Sequence, residues 1–225
     1  MDRAGAKTDP ARKAVRMGRP PKELAANVDE RILKTARDLF LERGLASVSV
    51  EDIARQARAS KGTIYARFPT KEALFAAIAM RNAANVRQGF ESAAPSGGSI
   101  EERLINLGST ILKHLLADDT VDFIRLAVAE ARRFPDLAKV GRMTRDRGAQ
   151  SAAAVFKEIA QSKQGQALPA FAPERLAKTT QFFLDLVVAP PFMRAVFGED
   201  PKSLRAQIRS HVAESVPFFL AAAGA

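Results

Sequence analysis

Cysteine is absent from all 225 residues, which removes disulfides, thiolate catalysis and cysteine-based zinc sites at once. Histidine is nearly absent: His114 and His211 are the two present, far apart in the chain, and neither stands in a metal-ligand or triad motif. No glycine-rich phosphate loop and no zinc-ligand spacing occurs. The acid pairs Glu101-Glu102 and Asp118-Asp119 fall at expected helix starts, where the macrodipole favours them. Adjacent helical residues point apart, so neither pair makes a shared carboxylate site. The sequence therefore predicts no enzyme, no metal site and no cofactor. A long hydrophobic run is also missing, because one of the most apolar stretches, FFLDLVVAPPFM, is interrupted by Asp185 and Pro190-Pro191. No secretory core follows the basic N-terminus, so the expectation is a cytoplasmic protein without a membrane partner.

What is present is apolar and basic. Hydrophobic residues make up 47% of the chain, enough for a real core. Lys+Arg 35 against Asp+Glu 25 gives a net charge of +10, which favours a polyanionic partner such as nucleic acid or an anionic surface. The excess is concentrated early: residues 1–80 carry 16 basic and 10 acidic side chains. Helical periodicity dominates and no strand pattern competes with it, so the fold class expected is all-α. Residues 1–26 read as a flexible basic arm, rich in Ala, Gly and Pro with no apolar period. The arm is either a solubilising tail or a segment that meets phosphates or a minor groove through Arg16 and Arg19. Gly18-Arg19-Pro20 has the core of an AT-hook.

The stretch from Ser49 to Phe75 carries the functional signal. Ser49 can cap a helix with Asp52 three residues on, the pattern of a capping box. Val50, Ile53, Ala54 and Ala57 then recur on one buried face. Ser60 can cap a second helix, which Ile64 and Phe68 bury. At about 100° per residue, Gly62 and Ala66 lie opposite that buried pair. This leaves an outward face almost without side chains, flanked by Lys61, Thr63 and Tyr65. Such a helix can sit deep in a groove, where Lys61 could donate to guanine and the Thr63 methyl could touch thymine. Thr70 caps a third helix whose first turn holds Lys71, a position the macrodipole disfavours for a cation. A phosphate at that point would account for it. Two capped amphipathic helices and a turn also occur in helical domains that never meet DNA.

From Val28 to Ile78 the chain is similar to the TetR family of bacterial transcriptional regulators, through S-V-x-D-I-A, S-K-G-T-I-Y and F-P-T-K-E-A-L-F. The resemblance implies a helix-turn-helix over residues 50–69 inside a DNA-binding domain of residues 27–87. It places Ser49, Tyr65 and Lys71 against phosphates and turns Lys61, Gly62 and Thr63 toward bases. One departure stands in the turn, where the family reads A-G-V-S and this chain has Ala57-Arg58-Ala59-Ser60. An arginine held at positive φ there would cost on the order of 1 kcal/mol.

The first helix is expected to begin with Asn27 as its cap and to stop at Gly44. Beyond the loop from Ala94 to Ser99, residues 88–225 form the expected C-terminal domain for ligand binding and dimerisation. Its helices are predicted at about 100–117, 119–133, 136–163, 173–195 and 201–222. Ile124 to Met143, around A-E-A-R-R-F-P-D-L, resembles the C-terminal domain of one TetR subgroup, with Glu130, Arg132 and Arg133 read as an ion-pair cluster or a solvated face. Phe182, Phe183, Leu186 and Val187, with Leu204, Ile208, Val212 and Val216, are the candidates for a homodimer face, though the same spacing fits ordinary core. An apolar pocket is expected among Phe123, Leu126, Met143, Phe156 and Phe183, the residues a guest could open between helices. The resulting expectation is a homodimeric repressor on a palindromic double-stranded DNA operator, released by an apolar or aromatic small molecule. An architectural DNA-binding protein, a regulator controlled by a protein partner and an enzyme housed in the C-terminal helices are the alternatives.

Overall fold

In the computed structural model, residues 22–81 and 98–224 are described, with side chains from Asn27 onward. Arg16, Arg19 and most of the loop expected from Ala94 lie outside them. The first helix, α1, spans Lys22–Arg43, so Asn27 lies inside it and is not its cap. Lys22 to Ala26 are all strong helix formers, and propensity carries the helix past the polar residue. Gly44, at φ 77, ends the helix by donating its amide to the Phe40 carbonyl.

Helix α2 spans Val50–Gln56 and α3 spans Lys61–Tyr65, each behind the serine cap read from the sequence. Helix α4 covers residues 71–81, with the Thr70 hydroxyl accepting from the Ala73 amide at 3.0 Å. Together α1 to α4 bury Ile32, Ala36, Leu39, Phe40, Ile53, Ile64, Leu74 and Phe75 in one core. Two residues of this core come from farther along the chain. Phe123 stacks on Phe75 with ring centroids 4.1 Å apart, and Leu137 is buried beside it.

The C-terminal helices are α5 (Ile100–Leu115), α6 (Asp118–Glu130), α7 (Pro135–Gln161), the short α8 (Lys163–Gln166), α9 (Leu176–Phe183), α10 (Ala189–Val196) and α11 (Pro201–Gly224). No strand occurs among the described residues. Phe156, Phe171, Phe183 and Phe219 meet at the centre, with Phe156 and Phe183 5.3 Å apart and edge to face. Gly108 brings α5 close to both the segment Leu184–Val188 and α11: a Cβ there would lie 2.9 Å from Val187 and 3.2 Å from Val212.

Several predicted elements are corrected. The helix expected over 136–163 breaks at Ser162, whose hydroxyl donates to the Ile159 carbonyl and accepts from the Gly165 amide, starting a new turn. The helix expected over 173–195 is interrupted by a π turn at Leu184–Val188. Pro190 and Pro191 supply no amide hydrogen, so the carbonyls one turn earlier lose their usual donors. His211 of α11 fills one vacancy by donating from Nε2 to the Val187 carbonyl at 2.8 Å.

The candidate dimer residues are also reassigned. Phe183, Val187, Leu204, Ile208, Val212 and Val216 are buried within the protomer, because a four-residue recurrence on α11 marks the face turned to α5. The exposed apolar side chains on these elements are Phe182, Met193, Phe197 and Phe218. Glu130, Arg132 and Arg133 form no ion pair with one another. Arg132 and Arg133 are exposed, and the Arg133 guanidinium lies 5.7 Å from the Phe134 ring centroid.

Candidate nucleic-acid interface

The helix-turn-helix is held by polar contacts that also occupy several of its expected reading groups. Ser49 closes a full capping box: its Oγ accepts from the Asp52 amide at 3.1 Å and donates to Asp52 Oδ2 at 2.6 Å. These bonds hold the Asp52 carboxyl below the usual carboxylate range, the Ser49 hydroxyl contributing most. The single proton of that hydroxyl is donated to the Asp52 carboxylate.

Lys61 opens the second helix and pairs with Glu51 of α2, Nζ to Oε1 at 2.6 Å. Each partner shifts the other: Lys61 lowers the Glu51 carboxyl and Glu51 raises the Lys61 ammonium. Both are exposed, so the pair stays accessible to a competing anion. Thr63 and Ser60 share a hydroxyl contact at 2.8 Å, and the Ser60 Oγ accepts from the Thr63 amide at 3.0 Å. Gly62 and Ala66 are exposed, as the helical wheel requires, and a Cβ at Gly62 would meet nothing nearer than the Ser60 Oγ at 3.8 Å. Tyr65, the single tyrosine of the chain, is 47% exposed on the same side.

Lys71 has a protein partner that its sequence position did not reveal. Its Nζ donates to the carbonyls of Leu45 at 2.9 Å and Ala46 at 3.3 Å, clasping the segment between α1 and α2. A cation in a first helical turn therefore has an internal explanation here. Two further residues escaped sequence reading. Arg67 forms an ion pair with Asp29 of α1 and donates to the Thr63 carbonyl at 3.2 Å, fixing the recognition helix against α1. Arg31 of α1 donates to the Ala57 carbonyl at the end of α2 at 3.4 Å. The Arg67–Asp29 and Arg31–Ala57 contacts have no local signal, since in each one residue belongs to α1 and the other stands at or just past the end of a later helix.

The five expected pocket residues do not converge. Phe123 and Leu126 pack into the core of α1 to α4, Phe156 and Phe183 into the C-terminal core, and Met143 is 41% exposed on α7. Periodicity tells that a face is buried; it does not tell which of two cores receives it. A cavity of about 200 Å³ lies instead between α10 and α11, with Pro191, Arg194, Leu204, Ile208, His211 and Glu214 in its wall.

The family comparisons match this geometry at both ends. Residues 32–78 match the model of bacterial regulatory proteins of the tetR family, and residues 102–225 match the C-terminal domain of AefR-like transcriptional repressors. The chain belongs to the TetR family. It is 31% identical over 109 residues to the HTH-type transcriptional repressor Rv3405c of Mycobacterium tuberculosis, covering 48% of this chain and 54% of that protein. The chain thus spans about half the length of the first curated relatives it matches. Among solved structures, a TetR-family regulator from Mesorhizobium loti superposes with a TM-score of 0.76 at 25% identity, covering 89% of this chain and 98% of that one. The Flavonoid-responsive Regulator FrrA superposes with a TM-score of 0.64 at 25% identity, covering 88% and 97%. This TetR-family chain joins an N-terminal helix-turn-helix domain to a C-terminal helical domain. Among its described residues no helix is long and apolar enough to cross a membrane.

Proposed function

We propose that the protein is a repressor that binds a palindromic operator as a two-fold dimer and is released by a small apolar or aromatic effector. The observation that carries the DNA reading is the bare outward face of α3, where exposed Gly62 and Ala66 are flanked by Lys61, Thr63 and Tyr65. Lys61, Gly62 and Thr63 face bases; Ser49, Tyr65 and Lys71 meet phosphates. For Ser49, Lys61 and Lys71 binding exchanges an internal partner for DNA. Two such readers spaced about 34 Å apart, or a multiple of it, suit two successive major-groove half-sites. Exposed Phe182, Met193, Phe197 and Phe218 supply apolar surface for a second copy to cover.

Support for the effector comes from FrrA, a structural relative named as a flavonoid-responsive regulator, and from the shared core. Because Phe123 of α6 stacks on Phe75 of α4, a guest that displaces α6 moves the reader with it. A guest favouring the DNA-incompetent state about 100-fold shifts the balance by about 2.7 kcal/mol, within the ordinary range of allosteric coupling.

Genome-wide pull-down with the purified protein, followed by footprinting, tests the DNA reading. One discrete protected palindrome is expected; broad protection without sequence preference would favour an architectural role. In that assay Thr63→Ala changes base preference, whereas Tyr65→Phe weakens binding to all sequences about equally. Thermal-shift screening of aromatic metabolites followed by operator release tests the effector. A stabilising compound that leaves DNA affinity unchanged would count against it.

A further inference from the structure

Among the described residues left-handed backbone is rare and is otherwise given to glycine. Gly44, Gly98 and Gly198 have φ of 77, 103 and 111, and the single non-glycine residue with positive φ among those described is Arg58, at 50. Its setting explains why the conformation cannot relax. The Ala59 amide donates to the Ala54 carbonyl at 3.0 Å and the Arg58 amide approaches the Arg55 carbonyl at 3.4 Å. That pair of bonds is the Schellman closure of a helix end, in which the residue after the C-cap must be left-handed and is usually glycine. Arg58 occupies that position in the turn between α2 and α3, where a residue carrying a Cβ is strained and glycine is not.

Charge pairing in the reader adds a second, independent observation. Arg55 is paired with Asp52, Lys61 with Glu51 and Arg67 with Asp29, while Lys71 donates to two carbonyls. Among the described residues, Arg58 is the one cation from Ser49 to Lys71 whose side chain has neither an ion pair nor a hydrogen bond, and it is exposed. It therefore contributes nothing visible to the fold that offsets its strained backbone. Strain held where no internal contact needs it marks a residue kept for an external one.

We propose that Arg58 is a phosphate-contacting residue of the DNA interface, set in the turn that precedes the recognition helix. This rests on the DNA-reading function proposed above and adds a contact to it. Unlike Lys61, the Arg58 guanidinium has no internal partner to give up before it can meet a phosphate. It acts on all sequences alike, because a phosphate contact orients the reader without reading a base.

The test compares Arg58→Gly, Arg58→Asn and Arg58→Lys in the full chain, with a mixed-sequence 40-base-pair duplex as the probe. Arg58→Gly removes both strain and charge, Arg58→Asn tolerates the conformation without charge, and Arg58→Lys keeps the charge. Arg58→Gly is expected to melt at or above the parent temperature yet bind the duplex about five- to ten-fold more weakly per subunit near 0.1 M salt. Its log affinity against log salt should be less steep by about 0.9 for each reader engaged. Arg58→Asn should follow it in both respects, and Arg58→Lys should keep the parent slope. Unchanged affinity and slope in Arg58→Gly, or a slope in Arg58→Lys equal to that of Arg58→Gly, overturns the proposal. If the parent protein itself fails to bind the duplex, the DNA reading falls and this contact with it. Where the parent binds and Thr63→Ala alters preference while Arg58→Gly changes nothing, only the Arg58 contact fails.

Discussion

The two cores of this protein are built by different rules. The N-terminal core is assembled mostly from residues between Ile32 and Ile78, close along the chain, and its polar surface is a run of short-range caps and turns. The C-terminal core gathers residues from Ile100 to Ala223, and its four central phenylalanines come from α7, α9, α11 and the turn at Pro169–Phe171. Yet the smaller core is not self-contained. Phe123 and Leu137 reach it from α6 and α7, and Arg37 of α1 forms an ion pair with Asp119 at the start of α6. The helix-turn-helix unit is thus closed by the domain it is attached to, with α6 joined to it through packed side chains.

Matched truncations in the two cores separate these rules most sharply. Phe123→Ala and Phe156→Ala each empty a fully packed site and should each cost about 3–5 kcal/mol of stability. They should differ in where the loss appears. Amide exchange in α1 to α3 should accelerate strongly in Phe123→Ala and much less in Phe156→Ala. Equal acceleration in both variants would mean that the two cores unfold as one unit. A smaller effect is expected where α5 packs tightly in the C-terminal core. In Gly108→Ala the new methyl meets the Val187 and Val212 side chains at 2.9 and 3.2 Å, so overpacking should cost about 1–3 kcal/mol. A melting temperature equal to that of the parent would show that α5 can move away from α11 freely.

At the reader the corresponding single change is the loss of a cap. Ser49→Ala removes the acceptor for the Asp52 amide and should destabilise by about 1 kcal/mol. It also removes the largest of the contacts that hold the Asp52 carboxyl low, leaving the Ser49 amide and Arg55 beside it. Because the folded carboxyl is held low, its contribution is present above the unfolded carboxylate pKa and is lost as the pH falls through the folded one. The difference between the parent and Ser49→Ala should therefore shrink on acidification below that range. A gap that persists unchanged in acid would show that the cap acts through the hydroxyl and the backbone alone.

Legibility in the sequence follows the same division. The serine caps, the bare face at Gly62 and Ala66, and the strain expected at Arg58 are all contained within a few residues, and the structure carries each of them. Partners of Lys61, Arg67 and Lys71 were not legible, because each requires knowing how one helix lies on another. The same limit applies to Phe123 and Phe156, which look alike in periodicity and end in different cores. The π turn before Pro190-Pro191 had a visible cause in the missing amides, but its repair by His211 comes from a helix that the spacing could not orient.

The finest test concerns the balance between fold and function inside the reader itself. Glu51 holds Lys61 at 2.6 Å on the surface proposed to meet DNA, so an incoming phosphate or base must compete with a carboxylate and also approach a negative charge. Glu51→Gln keeps the shape, removes both penalties and raises the net charge of the reader by one. Because exposed ion pairs are weak, the gain in affinity for mixed-sequence DNA should be only about two- to five-fold. The salt dependence should become steeper, since one more cation is available to displace condensed ions. Lys61→Ala should abolish the advantage, so the double variant Glu51→Gln/Lys61→Ala should bind no better than Lys61→Ala alone. If Glu51→Gln strengthens binding equally with and without Lys61, the carboxylate acts by repelling DNA directly. If it changes nothing in either background, this pair lies away from the duplex and the docking of α3 must be tilted toward Tyr65.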